Sequence, residues 1–137
     1  MILIVCVDDS MGMAFNHRRQ SMDSALRARI LDLAAGNCLW MSPYSAAQFS
    51  PEDRKTILAD ERFFEKAGPG NFCFAETTPV LPLESQAEEL ILFHWNRRYP
   101  ADLFFEIPLE AHSWKRLYAR DFPGSSHKMI TEERYRP

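Results

Sequence analysis

The chain opens with a continuous apolar run over residues 2–7, and two aspartates, Asp8 and Asp9, follow it directly. An uninterrupted run of this length is typical of a strand buried on both faces of a parallel sheet. In such sheets, ligands gather beyond the carboxyl ends of the strands. The pattern therefore predicts an α/β fold and places both aspartates at the edge where a site would lie.

Helical and strand patterns alternate through the rest of the first half. Residues 8–20 are predicted to form a loop, and Ser21 is expected to cap a helix that runs to about residue 35 and ends at Gly36-Asn37. Residues 38–41 are predicted to form a short buried strand. Serine followed by proline indicates two further helix starts, at Ser42-Pro43 and Ser50-Pro51.

The second half is predicted to contain mostly strands. Two lie at residues 71–76 and 90–95, and residues 77–82 between them form a proline-bearing connector. The last two, near residues 114–119 and 129–135, leave no room for a helix between them and should pair antiparallel. The sequence thus predicts one domain over residues 1–137. Its mixed, mainly parallel sheet is flanked by helices and ends in an antiparallel hairpin.

Composition narrows the class of partner. With 46% hydrophobic and 26% charged residues, the chain has the composition of an ordinary globular protein. Its net charge of −3 lacks the excess of basic residues that is typical of nucleic-acid-binding proteins. The opening apolar run is too short to span a membrane and has no basic segment before it. The three cysteines are far apart, each in a predicted strand: Cys6, Cys38 and Cys73. We therefore expect a reduced, cytoplasmic protein that binds neither membrane nor nucleic acid.

Two arginine pairs near the predicted strand ends suggest an anion site. Arg18-Arg19 and Arg97-Arg98 carry guanidinium groups, which bind phosphate or carboxylate in a bidentate manner. Residues predicted to share this rim are Asp8, Asp9, Asn16, Arg18, Arg19, Tyr44, Asn96, Arg97 and Arg98. The alternative is that the arginines only pair with Asp8, Asp9 and Glu76 at the surface. These three acids could also hold a divalent cation, but no metal site is predicted.

Acid–base chemistry has one candidate pair. His17 lies in the predicted loop beside Arg18 and Arg19, and with Asp23 it could supply the acid and base of a phosphodiester hydrolase. The other histidines are expected to be structural or exposed. His94 falls in a predicted strand, whereas His112 and His127 fall in predicted turns and should face solvent.

Several segments resemble the dihydrofolate reductase family. Leu39-Trp40-Met41-Ser42-Pro43-Tyr44-Ser45 resembles its second strand and the following turn, and the first strand, the turn at residues 11–13 and Asp23 resemble its opening. The closest similarity lies near the end of the chain, in Ala101-Asp102-Leu103-Phe104-Phe105-Glu106, Ser113-Trp114-Lys115 and Glu133-Arg134-Tyr135-Arg136. The resemblance implies a truncated dihydrofolate reductase-like fold, in which Asp23 would match the acid that holds the pterin ring.

The family's cofactor motifs are replaced in this chain. Where the family has a Gly-Arg-x-Thr turn for the nicotinamide cofactor, this chain has Ser42-Pro43-Tyr44-Ser45, and no glycine pair follows Phe74. The cofactor is therefore unknown, and NADPH binding is doubtful. The chain is also similar to short bacterial proteins sometimes labelled ribonuclease Z-like, although the His-x-His-x-Asp-His cluster of that enzyme is absent.

Three functions follow from these observations. The first is binding of a small anionic ligand or nucleotide at the carboxyl-terminal rim of the strands. The second is an enzyme, either a minimal reductase or the hydrolase based on His17 and Asp23. The third is a protein-interaction domain that uses an exposed strand or the connector at residues 77–85. A homo-oligomer is compatible with each of them.

Overall fold

The computed structural model describes residues 1–137. Its strands are β1 (Ile2–Val7), β2 (Gly12–Phe15), β3 (Arg18–Arg19), β4 (Leu39–Met41), β5 (Ile57–Ala59), β6 (Phe72–Phe74), β7 (Glu89–His94), β8 (Leu103–Phe104), β9 (Lys115–Phe122) and β10 (Ile130–Arg136). Its helices are α1 (Ser24–Ala34), α2 (Pro43–Ala46), α3 (Pro51–Arg54) and α4 (Phe63–Lys66), with a 3-10 helix at Leu81–Gln86. No helix combines the length and the apolar character that crossing a membrane requires.

Seven strands form one mixed sheet in the order β5-β4-β6-β1-β7-β10-β9. The pairs from β5 to β7 are parallel, and β10 pairs antiparallel with both β7 and β9. The predicted mixed, mainly parallel sheet with a terminal antiparallel hairpin is confirmed. Because these five strands, from β5 to β7 in the sheet order, run in the same direction, their carboxyl ends share one edge of the sheet.

Strand β1 lies at the centre and is buried along its whole length. Ile2, Ile4 and Cys6 pack on the face that α1 covers, while Leu3, Val5 and Val7 pack on the opposite face. This alternation explains the uninterrupted apolar run, since each face of the strand contacts its own part of the core. On the α1 face, the helix contributes Leu26, Ile30 and Ala34.

The segment predicted as a loop contains two strands instead. Strands β2 and β3 form a hairpin, and β8 pairs with β2 to complete a separate three-stranded sheet. The hairpin turns at Asn16 and His17, which both have positive φ, at 50° and 61°. Such turns usually carry glycine, and a turn without glycine lacks the usual sequence signal of a hairpin.

Helix boundaries also differ from the prediction. The N-cap of α1 is Asp23 rather than Ser21, because the Asp23 side chain accepts hydrogen bonds from the amides of Ala25 and Leu26. Ser42 and Ser50 cap α2 and α3 as predicted, but each helix has a single turn. Strand β5, which follows α3, was not predicted because three residues carry too little alternation to reveal a strand.

The structure adds detail to two further predictions, those for the cysteines and for the connector at residues 77–85. Cys38 is exposed and precedes β4 rather than lying in it, whereas Cys6 and Cys73 are buried. Burial raises the pKa of Cys73 to about 12, so this thiol is unreactive. In the connector, Val80 and Leu83 are buried in the core, whereas Pro79, Leu81, Pro82 and Ser85 are exposed.

Candidate functional site

Asp8 ends β1 and holds the surrounding loops together. It is buried, and its carboxylate accepts hydrogen bonds from the amides of Ser10, Gly12 and Tyr99 at 2.7–3.0 Å. Burial alone would raise the pKa of Asp8, but these bonds outweigh burial and lower it. The side-chain amide of Gln20 also donates a hydrogen bond to the Asp8 carboxylate, at 3.3 Å. Asp8 is therefore a structural anchor at the predicted edge.

Arg19 is held by a buried acid. Its Nε donates to both carboxylate oxygens of Glu76, at 3.1 and 3.2 Å, and its guanidinium lies 4.2 Å from the centre of the Tyr44 ring. Glu76 also accepts from Gln48 at 2.9 Å. Burial raises the pKa of Glu76 despite the nearby arginine. Arg19 is thus paired with Glu76, which is the alternative to an anion site that the sequence left open for this arginine.

Asp23 is the most heavily bonded side chain of the rim. Besides capping α1, it accepts from the amides of Ser125, Ser126 and His127, from the Ser125 hydroxyl and from Nδ1 of His127. Burial would raise the pKa of Asp23, but these hydrogen bonds, chiefly those of Ser125, His127 and Ser126, hold it well below its usual range. Asp23 thus attaches the β9–β10 turn to the start of α1.

His127 was expected to face solvent, and this prediction is wrong. Its side chain is 1% exposed and stacks on Trp95 with ring centres 4.5 Å apart. Because Asp23 is ionised, Nδ1 of His127 carries a proton and donates to it at 3.0 Å, while Nε2 lies 2.9 Å from the Tyr99 hydroxyl. Sequence reasoning missed this network because its members are far apart along the chain.

His17 and Asp23 do not form a catalytic pair in this structure. The imidazole of His17 is at the tip of the β2–β3 hairpin and lines a cavity of about 360 Å³ with Thr77 and Asp102. Asp23 lines a different cavity and gives its hydrogen-bonding capacity to His127 and neighbouring amides. The proposed hydrolase arrangement therefore has no geometric support.

Substitutions of His17 test whether the backbone at the tip of the β2–β3 hairpin is strained. We expect His17→Gly to raise the free energy of unfolding by about 0.5–1 kcal/mol, because glycine adopts the positive φ of this position without strain. His17→Ala is the matched control, since it also removes the imidazole but keeps the Cβ. Urea denaturation followed by circular dichroism measures both variants. Equal stability of the two would show that the backbone at residue 17 is not strained.

A larger cavity of about 690 Å³ lies at the start of α1, and we name it the rim pocket. Eight of its nine lining residues are polar: Arg19, Gln20, Ser21, Asp23, Ser24, Arg27, Ser125 and Ser126. Met22 is the ninth. Arg27 is half-buried, and no carboxylate lies within 4 Å of its guanidinium, since it takes part in none of the ion pairs. A guanidinium without an acidic partner in a polar cavity is suited to binding an anion.

Arg27 was absent from the predicted site. The signal that could have found it is its spacing, because Arg27 lies one helical turn after Ser24 on the same side of α1. Of the predicted site residues, Arg19 and Asp23 line the rim pocket, and the Tyr44 ring contacts the Arg19 guanidinium. The structure places Asp9, Asn16, Arg18, Asn96, Arg97 and Arg98 at exposed positions outside its lining.

Asn96 and Asp9 form hydrogen bonds with neighbouring segments of the protein. The Asn96 amide donates to the Met129 carbonyl and the Thr131 hydroxyl, so it fastens β7 to β10. The amide of Asp9 donates to the carbonyl of Arg97. No group of three or more histidine, cysteine, aspartate or glutamate side chains is arranged to hold a metal ion.

Comparison with known proteins identifies the fold. No family model and no curated protein matches the chain, so its resemblance to ribonuclease Z-like proteins stays a prediction. Among solved structures, dihydrofolate reductase from Enterococcus faecalis, in complex with NADP(H) and RAB-propyl, is similar at a TM-score of 0.68 and 11% identity. The match covers 98% of this chain and 94% of that one. The resemblance found in the sequence is therefore confirmed at the level of architecture, and the chain has a dihydrofolate reductase-like fold.

Proposed function

We propose that this protein binds a small molecule in the rim pocket through a phosphate or carboxylate group of that molecule, a nucleotide being one such ligand. The observation that carries the proposal is Arg27, a half-buried residue that lines a large polar cavity and has no ion-pair partner. A guanidinium that no carboxylate neutralises is available to pair with an anionic group of a ligand.

Hydrogen-bond donors in the pocket support an anion. Arg27 can offer both edges of its guanidinium, and the hydroxyls of Ser21 and Ser126 are free to donate. The first amides of α1 are already used, because Ser24 and Ala25 donate to the Ser125 hydroxyl and Ala25 and Leu26 donate to Asp23. Side chains rather than helix amides would therefore hold the ligand.

Asp23 lines the same pocket but does not oppose an anion strongly. Both of its oxygens accept hydrogen bonds from protein donors, and those dipoles compensate its charge inside the protein. Arg19 is likewise balanced by Glu76. The uncompensated charge of the rim pocket is thus the single positive charge of Arg27.

NADPH, which the fold family implies, fits this chain poorly. After β4, Ser42 uses its hydroxyl to cap α2 instead of leaving donors open to a phosphate. After β6, where the family has its glycine pair, the chain has Ala75 and the buried acid Glu76. Glycines at this place let the backbone approach the cofactor closely, which the side chains of Ala75 and Glu76 do not, so we do not include a nicotinamide cofactor or hydride transfer in the proposal.

The test compares ligand-dependent thermal stability of the intact chain and of Arg27→Gln. We expect inorganic phosphate or a mononucleotide to raise the melting temperature by several degrees at about 100 times its dissociation constant. Arg27→Gln should weaken binding about 10-fold to 100-fold, as expected for loss of a charged hydrogen-bond donor. The control is Arg62→Gln, whose side chain is 75% exposed and lies outside the pocket. No shift with phosphate, carboxylates or mononucleotides would refute the proposal.

The setting of this function is proposed to be the cytoplasm. The three cysteines form no disulfide bond, which is usual for proteins of a reducing compartment.

A further inference from the structure

Three cavities follow one side of α1 in succession. The rim pocket shares Ser24 and Arg27 with a second cavity of about 500 Å³. The second shares Leu31 and Asp53 with a third of about 370 Å³, which reaches the end of the helix at Gly36. Neighbouring cavities share lining residues, and we name the three together the α1 groove.

Helical spacing explains why the α1 residues of the groove lie on one side of the helix. Its α1 wall includes Ser24, Arg27, Ala28, Leu31 and Asp32, which lie three or four residues apart on one face of the helix. The segment from Gln48 to Asp53, containing α3, forms the opposite wall. From Ser24 to Asp32 the groove advances about 12 Å, and from Arg27 to Asp32 about 7.5 Å, at 1.5 Å per residue.

Charge changes sign along the α1 groove. Arg27 is at the rim-pocket end, whereas the middle of the groove has two carboxylates, those of Asp32 and Asp53. Neither carboxylate forms an ion pair, although Glu52 beside Asp53 is paired with Lys55. No basic residue except Arg27 lines the second cavity, and none lines the third. Between the opposite charges lie Ala28, Leu31 and Phe49.

We infer that the ligand of the rim pocket is an extended zwitterion. Its anionic group would bind at Arg27, its middle would be a short apolar chain, and its other end would carry an amine or another cation at Asp32 and Asp53. This inference rests on the proposed function, because it specifies the ligand class of the same site. A second anionic group at the far end is disfavoured, since two unpaired carboxylates would repel it.

The experiment measures binding of two matched probes to the intact chain by titration calorimetry at low ionic strength. Hexyl phosphate supplies the anion and an apolar chain, and aminohexyl phosphate adds a terminal amine that can reach the two aspartates. We expect the amine to tighten binding about threefold to fivefold, which is the strength of a partly exposed ion pair. Inorganic phosphate is measured alongside, because it reports the rim pocket alone.

Variants assign any advantage of the amine to the groove. Asp53→Asn should remove most of the difference between the two probes, and Asp32→Asn should reduce it. Glu52→Gln is the control, because it removes an equal charge from the same helix, at a side chain that is 81% exposed and outside the groove. Circular dichroism and melting curves of each variant confirm that it is folded before binding is compared.

The outcomes separate this inference from the proposed function. Equal affinity of the two probes, with phosphate bound and lost in Arg27→Gln, would overturn the zwitterion and leave the anion pocket standing. An amine advantage that persists in both aspartate variants would also overturn it. If neither phosphate nor either probe binds, the proposed function and this inference both fail. A difference that disappears only in the groove variants supports the inference.

Discussion

Replacing Asp23 with alanine should lower the free energy of unfolding by about 4 kcal/mol, or roughly 15 °C in melting temperature. The substitution removes the N-cap of α1, which alone costs about 1 kcal/mol. It also leaves the buried His127 imidazole and the amides of Ser126 and His127 without their acceptor. Urea denaturation followed by circular dichroism gives the value.

A serine at this position separates the two contributions. Asp23→Ser keeps a side-chain oxygen that can cap α1 but is too short to reach the β9–β10 turn, so its loss should be about 1 kcal/mol smaller than that of alanine. A total loss below about 1 kcal/mol for alanine would show that the turn is not fastened through Asp23. Gly124 gives an independent test of the same packing, because a Cβ there would lie 2.6 Å from a carboxylate oxygen of Asp23.

The contribution of Asp23 depends on pH with a defined sign. Its pKa in the folded protein is lower than the usual value of about 4, so the unfolded chain binds the proton more tightly. The stabilisation is therefore fully present above about pH 5 and is lost progressively as the pH falls below about 4. In Asp23→Ala this part of the acid sensitivity should be absent, which titration of stability between neutral and acidic pH would reveal.

Local patterns were sufficient for the central strand and the antiparallel end of the main sheet. The run from Ile2 to Val7 identified the central strand because both of its faces are buried, and the short spacing of the last two strands required an antiparallel hairpin. The serine–proline pairs marked the starts of α2 and α3 for the same reason, since capping involves only residues a few positions apart.

Contacts between distant residues were not predictable in this way. Asp23 and Ser125 are separated by 102 positions, and nothing near His127 indicates that a turn residue will be buried on Trp95. The same limit applies to the candidate site. The sequence pattern indicated four arginines in two adjacent pairs. Of these, Arg19 is balanced by Glu76, whereas Arg27, which belongs to neither pair, lines the rim pocket without an acidic partner. Only the fold determines which cation has a partner.

Arg29→Met should cost about 3 kcal/mol, because it leaves the charge of Glu132 buried without its partner. Glu132 is fully buried on β10, and its carboxylate accepts two hydrogen bonds from Arg29, at 2.7 and 3.0 Å, and one from the Tyr118 hydroxyl at 2.5 Å. Burial would raise the pKa of Glu132, but the hydrogen bonds of Arg29 and Tyr118 lower it, so the acid is ionised in the folded protein. The pair therefore connects α1 to the terminal hairpin as two charges.

A double-mutant cycle measures the coupling free energy between Arg29 and Glu132. It shows how much of each single loss comes from leaving the other charge unpaired. Glu132→Leu alone should also destabilise the protein, since Arg29 and Tyr118 lose their acceptor. The double variant Arg29→Met with Glu132→Leu should be less destabilised than the sum of the two single changes, by about 2 kcal/mol, because it leaves no unpaired charge. Chemical denaturation of the four proteins measures this coupling. Additive losses would mean that Arg29 and Glu132 act independently, and that the attachment of α1 to β10 depends on apolar packing of Leu26 and Ile30 instead.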